Sequence, residues 1–352
     1  MTDAPAPEPA APEPATPAPG PARLDPAARP YVDALAAAFP DLGGAVTDAA
    51  EARRILAAAP GSAAPPPAVG SVEDREVPGP DGAPPVPVRV YRPDPGRWPG
   101  PRPTVVFCHG GGWVLCDLDS HDRTVRALCR ASGAVIVSVG YRRAPESRFP
   151  AAVLDAYAAL RWAAGRVAEL GGDPAALVVA GDSAGGNLAA GSALLARDRG
   201  GPALALQVLI YPCLDAAQHT ASYRTAAEQG AGEGFLTAAH LRWFWEQYLG
   251  PGGDPADPLA SPAAADPAGL PPAHVLTAGC DPLRDEGAAY VRALRAAGTA
   301  AELDHHPGMF HGFLALADVL PQARQAVRRL GGVISSTANH GKTSGGVGGT
   351  TG

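Results

Sequence analysis

The chain has 352 residues and a mass of 35.5 kDa, which is enough for one large domain or two ordinary ones. Hydrophobic residues make up 46% and charged residues 18%, a composition that is typical of globular proteins and excludes a wholly disordered chain. The 28 Lys and Arg residues against 35 Asp and Glu residues give a formal net charge of −7, so the excess of positive charge that favours nucleic-acid binding is absent. We therefore expect no nucleic-acid partner.

The two ends of the chain differ in composition from the rest. Residues 1–22 hold eight of the 40 prolines and almost no large apolar side chain, which predicts an extended, disordered arm. Residues 335–352 are rich in Gly, Ser and Thr and show no hydrophobic period, which predicts a flexible tail. The folded unit is expected between residues 23 and 334.

Neither a secretory leader nor a run of about 18 apolar residues is recognisable, so we expect a cytoplasmic protein without a membrane span. The five cysteines are an odd number without C-x-x-C spacing, which indicates neither a disulfide framework nor a zinc site. Reduced, mostly buried thiols are expected at all five positions, which are Cys108, Cys116, Cys129, Cys213 and Cys280.

In chain order, two helical stretches come first, at residues 24–39 and 48–59. From Ser71 onward, short alternating or wholly apolar segments typical of strands alternate with helical periods. The clearest strand segments are 86–93, 103–112, 133–142, 176–186, 203–212, 274–279 and 301–306, and the helical ones are 121–132, 150–170, 185–199, 284–297 and 314–330. This alternation predicts an α/β fold in which a mostly parallel sheet of about eight strands is covered by helices on both faces.

One segment interrupts the alternation. Residues 213–272 are rich in Pro and Gly and contain the aromatic cluster Trp243, Phe244 and Trp245. An insertion of this kind between strands often forms a lid over a site. The aromatic side chains are interpreted either as part of a ligand pocket or as ordinary core packing.

The sequence G-x-S-x-G at residues 181–185 lies between a predicted strand and a predicted helix, as a nucleophile elbow requires. In so tight a turn, only glycine fits two positions before and two positions after the serine. Ser183 is therefore the candidate nucleophile, and an ordinary Gly-rich turn is the alternative.

Three consecutive glycines, Gly110, Gly111 and Gly112, follow another predicted strand. Without side chains, their backbone amides are free to approach a ligand, and with the amide of Ala184 they would form an oxyanion hole. A phosphate-binding loop is the competing interpretation, but neither G-x-G-x-x-G nor G-K-[ST] follows. His109 is interpreted as a structural side chain that supports this loop.

Two later strand ends supply an acid and a base. Asp281 directly follows a predicted strand, where its carboxylate could orient a histidine, whereas Asp285 and Glu286 are interpreted as charges that favour the N-terminus of the next helix. His311 is the candidate general base, and His305 with His306 makes only a weak metal site, so none is predicted. The order Ser, acid, His is that of α/β-hydrolases.

Five segments in order resemble the hormone-sensitive-lipase-like branch of bacterial carboxylesterases, from about Leu24 to Leu330. They are HGGGW (109–113), YRRAPESRFPAAVLDAYAALRW (141–162), GDSAGGNLA (181–189), DPLRDEG (281–287) and HGF (311–313). The resemblance implies an α/β-hydrolase catalytic domain at 71–334, with a helical cap formed by residues 23–70 and an insertion at about 213–262. It further implies that Ser183, Asp281 and His311 are catalytic, that Gly111, Gly112 and Ala184 donate to the oxyanion, and that Glu146 is structural.

The predicted activity is hydrolysis of a small-molecule ester through an acyl-enzyme, without a metal or an organic cofactor. The resemblance implies short to medium acyl chains, while the residues themselves identify neither the natural ester nor the side chains that bind it. An acyltransferase or amidase with the same acyl-enzyme is one alternative, and a non-catalytic ligand-binding module is another. The residues do not determine the oligomeric state, and a homodimer is one of the states that they allow.

Overall fold

The computed structural model describes residues 23–59, 62, 64–229 and 234–340. The strands are β1 (Ser71–Val77), β2 (Val86–Arg92), β3 (Arg102–Cys108), β4 (Val135–Val139), β5 (Gly172–Asp182), β6 (Leu206–Ile210), β7 (Ala273–Cys280) and β8 (Ala301–Phe310). They form one eight-stranded sheet in the order β1-β2-β4-β3-β5-β6-β7-β8, in which β2 pairs antiparallel with β1 and β4 and all other pairs are parallel. The predicted α/β class with a mostly parallel sheet is confirmed.

The helices are α1 (Arg29–Ala38), α2 (Ala49–Ala58), α3 (Asp122–Ser132), α4 (Ala151–Ala164), α5 (Val167–Leu170), α6 (Ala184–Asp198), α7 (Ala221–Gln229), α8 (Ala238–Leu249), α9 (Arg284–Ala296) and α10 (Pro321–His340). Helices α3 and α10 pack on one face of the sheet, and α4, α6 and α9 pack on the other. The predicted arrangement of helices on both faces is therefore present.

The central strands are apolar throughout because both of their faces are covered. In β3, Val105 and Phe107 belong to the core shared with α3 and α10, whereas Val106 and Cys108 belong to the core shared with α4 and α6. Successive side chains of a strand point to opposite faces, so a strand between two helical layers needs an uninterrupted apolar run. This arrangement places the polar residues of the central strands at their ends.

A charged contact joins α2 to the loops that follow β3 and β4. Arg53 in α2 donates to both carboxylate oxygens of Glu146, at 2.7 and 2.9 Å, and to the carbonyl oxygens of Val114 and Ala144, both at 2.7 Å. The hydrogen bonds from Arg53 lower the pKa of Glu146 to about 2. Glu146 thus fixes α2, as expected of a structural acid.

The end of the chain differs from the prediction. In place of a helix at 314–330, the structure has a short 3-10 turn (Phe313–Leu316) and then α10, which continues to His340. Residues 335–340, predicted to belong to a flexible tail, are therefore helical. The buried Ile334 holds this part of the helix on the core, and the last residues continue from it by one to two turns.

The predicted arm at residues 1–22 and the rest of the predicted tail, residues 341–352, lie outside the described residues. Within the part of the chain that is described, every helix is too short or too polar to cross a membrane.

Candidate active site

Ser183 occupies the sharp turn between β5 and α6. Its backbone has φ 55° and ψ −121°, a combination that residues other than glycine rarely adopt. A Cβ atom at Gly181 would lie 2.2 Å from the carbonyl oxygen of Gly185, and one at Gly185 would lie 2.0 Å from the carbonyl oxygen of Cys108. Both glycines are therefore required by the turn, which has the strand–turn–helix form of a nucleophile elbow.

Three of the predicted site residues form one hydrogen-bonded chain. His311 lies just beyond β8, and its Nε2 is 2.9 Å from Oγ of Ser183. Its Nδ1 is 2.8 Å from Oδ2 of Asp281, which directly follows β7 and has a fully buried side chain. The other carboxylate oxygen of Asp281 accepts a hydrogen bond from the Leu283 amide at 2.9 Å. The geometry allows His311 to take a proton from Ser183 while Asp281 holds the imidazole in one orientation.

Both acids that follow Asp281 lie in the first turn of α9, as interpreted from the sequence, but one of them is buried. Asp285 lies in the first turn of α9 and accepts a hydrogen bond from the Ser222 amide at 2.8 Å. Glu286 is only 2% exposed, and its Oε1 accepts from the Leu214 amide at 2.6 Å. Burial raises the pKa of Glu286 well above its ordinary value, so this side chain differs from the partly exposed Asp285 although both lie in the first turn of α9.

The remaining histidines near β8 point to other partners. His305 contacts the Thr277 hydroxyl at 2.9 Å, and Nε2 of His306 is 3.4 Å from Oδ1 of Asp304. Among the residues that the structure describes, no group of three or more His, Cys, Asp or Glu side chains is placed to hold a metal ion.

The glycine loop after β3 lies beside Ser183. The backbone amides of Gly111, Gly112 and Ala184 have no hydrogen-bond partner among the described residues, and all three residues line the cavity that contains Ser183 and His311. The amide of Gly110, also considered from the sequence, instead donates to Oδ1 of Asp182 at 2.9 Å. The amides of Gly111, Gly112 and Ala184 are thus free within the described part of the chain, whereas the amide of Gly110 is engaged.

His109 lies beneath the glycine loop and does not line the cavity. Its ring stacks on the ring of Tyr141 with centroids 4.3 Å apart, and the Tyr141 hydroxyl donates to the His109 carbonyl oxygen at 2.8 Å. Burial lowers the pKa of His109 to about 3, so its imidazole is neutral. These contacts fit the interpretation of His109 as a support of the loop.

The cavity above Ser183 has a volume of about 280 Å³ and mostly apolar walls. Leu35, Phe39, Leu56, Phe235, Leu236, Leu241 and Phe244 contribute side chains from the two segments predicted to form a cap. Of the aromatic cluster, only Phe244 lines the cavity, whereas Trp243 donates to the Thr47 carbonyl oxygen and Trp245 packs on Trp113. Core packing therefore accounts for Trp243 and Trp245, whereas Phe244 lines the cavity.

One pair of charged residues at the site was missed from the sequence. His121, which immediately precedes α3, lies 3.2 Å from Asp182, and both line the cavity. Asp182 is the residue before the candidate nucleophile. The sequence did contain a signal for this pair. His121 follows the glycine loop and precedes α3, and Asp182 ends β5, so the sequence places both residues at the same edge of the sheet.

Comparisons with known proteins identify relatives of this chain. The chain matches a family model described as alpha/beta hydrolase fold over residues 105–315. The carboxylesterase NlhH of Mycobacterium tuberculosis is 45% identical over 263 residues, which cover 73% of this chain and 80% of that protein. The ethyl acetate hydrolase of Pseudomonas putida is 40% identical over 245 residues, covering 69% of this chain and 76% of that one.

Solved structures of esterases also match this chain. A hyperthermophilic esterase from the archaeon Pyrobaculum calidifontis has a TM-score of 0.78 and 40% sequence identity, and the match covers 90% of this chain and 99% of that one. The family model extends from β3, which precedes the glycine loop, past His311. The chain therefore belongs to the hormone-sensitive-lipase-like carboxylesterases of the α/β-hydrolase fold, and it is a carboxylic ester hydrolase, as its motifs predicted.

Proposed function

We propose that this enzyme hydrolyses esters through an acyl-enzyme on Ser183, with His311 as general base and Asp281 as the orienting acid. The observation that carries the proposal is the hydrogen-bonded chain Ser183–His311–Asp281, with distances of 2.9 and 2.8 Å, at the base of an apolar cavity. The serine is held in the exposed position of a nucleophile elbow, and its only basic neighbour in that chain is His311.

In the first half of the reaction, Oγ of Ser183 attacks the ester carbonyl carbon while Nε2 of His311 takes the hydroxyl proton. The negative charge that develops on the carbonyl oxygen is stabilised by the amides of Gly111, Gly112 and Ala184. When the tetrahedral intermediate breaks down, the C–O bond to the alcohol cleaves and His311 gives its proton to the leaving oxygen.

In the second half, a water molecule attacks the acyl carbon of the ester on Ser183, and His311 takes the proton of that water. The bond to Ser183 Oγ then breaks, the serine recovers its proton from His311, and the carboxylic acid leaves. The amide of Gly110 takes no part, because Asp182 already accepts its hydrogen bond.

We infer a preference for short to medium acyl chains from the size of the cavity. Its volume of about 280 Å³ must hold the acyl and alcohol parts together. A relative that is 40% identical is named for its action on ethyl acetate, which agrees with small esters. The division into a cap (residues 23–70 and about 213–262) and a catalytic domain is part of this proposal, whereas the homodimer and the cytoplasmic location stay predictions.

Phe244 is proposed to limit the length of the acyl chain that the cavity accepts. Its ring packs against the glycine loop, since a Cβ atom at Gly112 would lie 2.1 Å from Cδ1 of Phe244. The alcohol oxygen must leave beside Nε2 of His311, which protonates it, so the space on the glycine-loop side is left for the acyl chain. Phe244→Ala should admit about two more methylene groups at about 0.8 kcal/mol each, which raises kcat/KM for octanoate relative to acetate esters by about 10-fold.

The matched control for this prediction is Phe235→Ala. Phe235 also lines the cavity, but its ring lies beside Gly312, on the His311 side. We expect Phe235→Ala to change the ranking of alcohols in a series of acetate esters and to leave the acyl ranking unchanged. If Phe244→Ala changes the alcohol ranking and not the acyl ranking, the two sides are assigned the wrong way round.

The proposed function is tested by covalent labelling together with turnover. The native enzyme is titrated with a fluorophosphonate while hydrolysis of a p-nitrophenyl ester series from acetate to laurate is followed. We expect one adduct per chain on the peptide that contains Ser183, loss of turnover in proportion to labelling, and highest kcat/KM with short to medium esters. Heat-unfolded protein is the control and should not react.

Labelling at another residue, or full turnover after complete labelling, would overturn the assignment of Ser183. Product analysis in the presence of an added alcohol or amine separates hydrolysis from acyl transfer, because a transferase would form the new ester or amide in preference to the free acid.

A further inference from the structure

Asp182 connects the nucleophile elbow to the glycine loop. It is the last residue of β5, directly before Ser183, and its side chain is 11% exposed. Oδ1 accepts a hydrogen bond from the Gly110 amide at 2.9 Å, and a Cβ atom at Gly110 would lie 2.5 Å from Oδ2. The Gly110 amide also lies 3.3 Å from Nε2 of His121, so the loop that carries the free amides of Gly111 and Gly112 contacts both members of the pair.

His121 supplies the positive partner of that carboxylate. Its Nε2 lies 3.2 Å from Oδ1 and 3.3 Å from Oδ2 of Asp182, and its side chain is 14% exposed. Burial disfavours the charged imidazole, but attraction and hydrogen bonding to Asp182 outweigh burial and raise the pKa of His121 well above its ordinary value. The pKa of Asp182 is lowered despite its own burial, chiefly by His121.

Two charged side chains, Arg143 and Asp117, lie near the pair, 3.9 Å from each other, and the Asp117 carboxylate is linked to the His121 ring through Ser120. The Ser120 hydroxyl, the Cys116 side chain and the neutral His109 ring face His121, and His109 also faces Asp182. The buried Cys108, Tyr141 and Tyr211 near Asp182 all have raised pKa values because of burial, so they are uncharged. Among the described residues, His121 is the basic side chain in direct contact with Asp182.

We propose that the His121–Asp182 ion pair positions the oxyanion loop, so that His121 is a positioning residue for catalysis although it does not act on the reacting atoms. The inference rests on the proposed function of Gly111, Gly112 and Ala184. With the pair intact, Asp182 accepts from the Gly110 amide as a full carboxylate, a stronger acceptor than a neutral acid. The two following amides are then held in place before charge develops on the substrate.

Removing the imidazole leaves a buried carboxylate without a partner, which favours its protonation and weakens its bond to Gly110. His121→Ala should therefore lower kcat by about 10- to 100-fold, part of the effect of losing one oxyanion donor, while KM stays within about threefold. Affinity for a trifluoromethyl ketone, which mimics the tetrahedral oxyanion, should fall by the same factor as kcat.

The pH profile gives a readout that a purely structural role would not move. Because the pKa of His121 is raised, the ion pair is present at neutral pH and is lost as pH rises through that pKa. Wild-type kcat should fall at alkaline pH to a lower plateau, since neutral His121 can still donate one hydrogen bond. His121→Gln keeps a neutral donor, so its kcat should lie at that plateau and show no alkaline decline.

The matched control is His219→Ala, because His219 forms a similar but 75% exposed pair with Asp215 at 3.8 Å. It should retain wild-type kcat and the wild-type alkaline decline. Wild-type kcat in His121→Ala, or an unchanged alkaline decline in His121→Gln, would overturn the inference. Should His121→Ala fail to fold, the profiles of the wild type and His121→Gln still decide. Failure of the proposed function looks different, because Ser183→Ala would then retain turnover whatever His121 does.

Discussion

Ser183→Ala is expected to lower kcat for a short p-nitrophenyl ester by about 10⁶-fold, because no acyl-enzyme can form without Oγ. The turn should persist, since alanine is smaller than serine and the strained conformation is imposed by Gly181, Gly185 and the flanking elements. A residual acceleration of about 10³-fold over water should survive, because the free amides and the cavity remain. Single-turnover and steady-state rates of the variant measure both effects: comparison with the wild type gives the loss of kcat, and comparison with uncatalysed hydrolysis gives the residual acceleration.

Ser192→Ala is the matched control for this variant. Ser192 lies in the same helix, α6, is fully buried, and its hydroxyl has no hydrogen-bond partner among the described residues. We expect Ser192→Ala to keep wild-type kcat and wild-type fluorophosphonate labelling. If Ser183→Ala keeps more than about a hundredth of the activity, His311 activates water directly on the ester and the covalent route is wrong.

Much of this site was predictable because local sequence determines it. The glycines around Ser183 are required by one tight turn, and the apolar runs before Gly110, Ser183 and Asp281 place all three at the same edge of a parallel sheet. The order of the three candidate residues along the chain then indicated the α/β-hydrolase arrangement. These are short-range features, so one sequence is sufficient to find them.

The features that were missed depend on contacts between distant segments. The amide of Gly110 is engaged by Asp182, 72 residues away, and Glu286 is buried by a loop 72 residues before it. Neither contact leaves a periodic signal in the sequence. For the same reason, the pattern could not separate Phe244, which lines the cavity, from its neighbours Trp243 and Trp245, which pack elsewhere.

Asp281→Asn is expected to lower kcat by about 10⁴-fold with little effect on folding. Oδ1 of Asp281 accepts from the Leu283 amide, so the asparagine carbonyl oxygen should keep that bond and direct its amide NH₂ at Nδ1 of His311. His311 would then accept a hydrogen bond at Nδ1 and carry its proton on Nε2, where it can no longer take the proton of Ser183.

The measurement that checks this is kcat beside the rate of fluorophosphonate labelling, which should fall together because both need the Ser183 proton to move to His311. Asp285→Asn is the control: Asp285 also follows β7 but accepts from the Ser222 amide and does not contact His311. It should keep kcat within a few-fold of the wild type. Full activity in Asp281→Asn would remove Asp281 from the proposed triad, because it would show that catalysis does not need this carboxylate to fix the tautomer of His311.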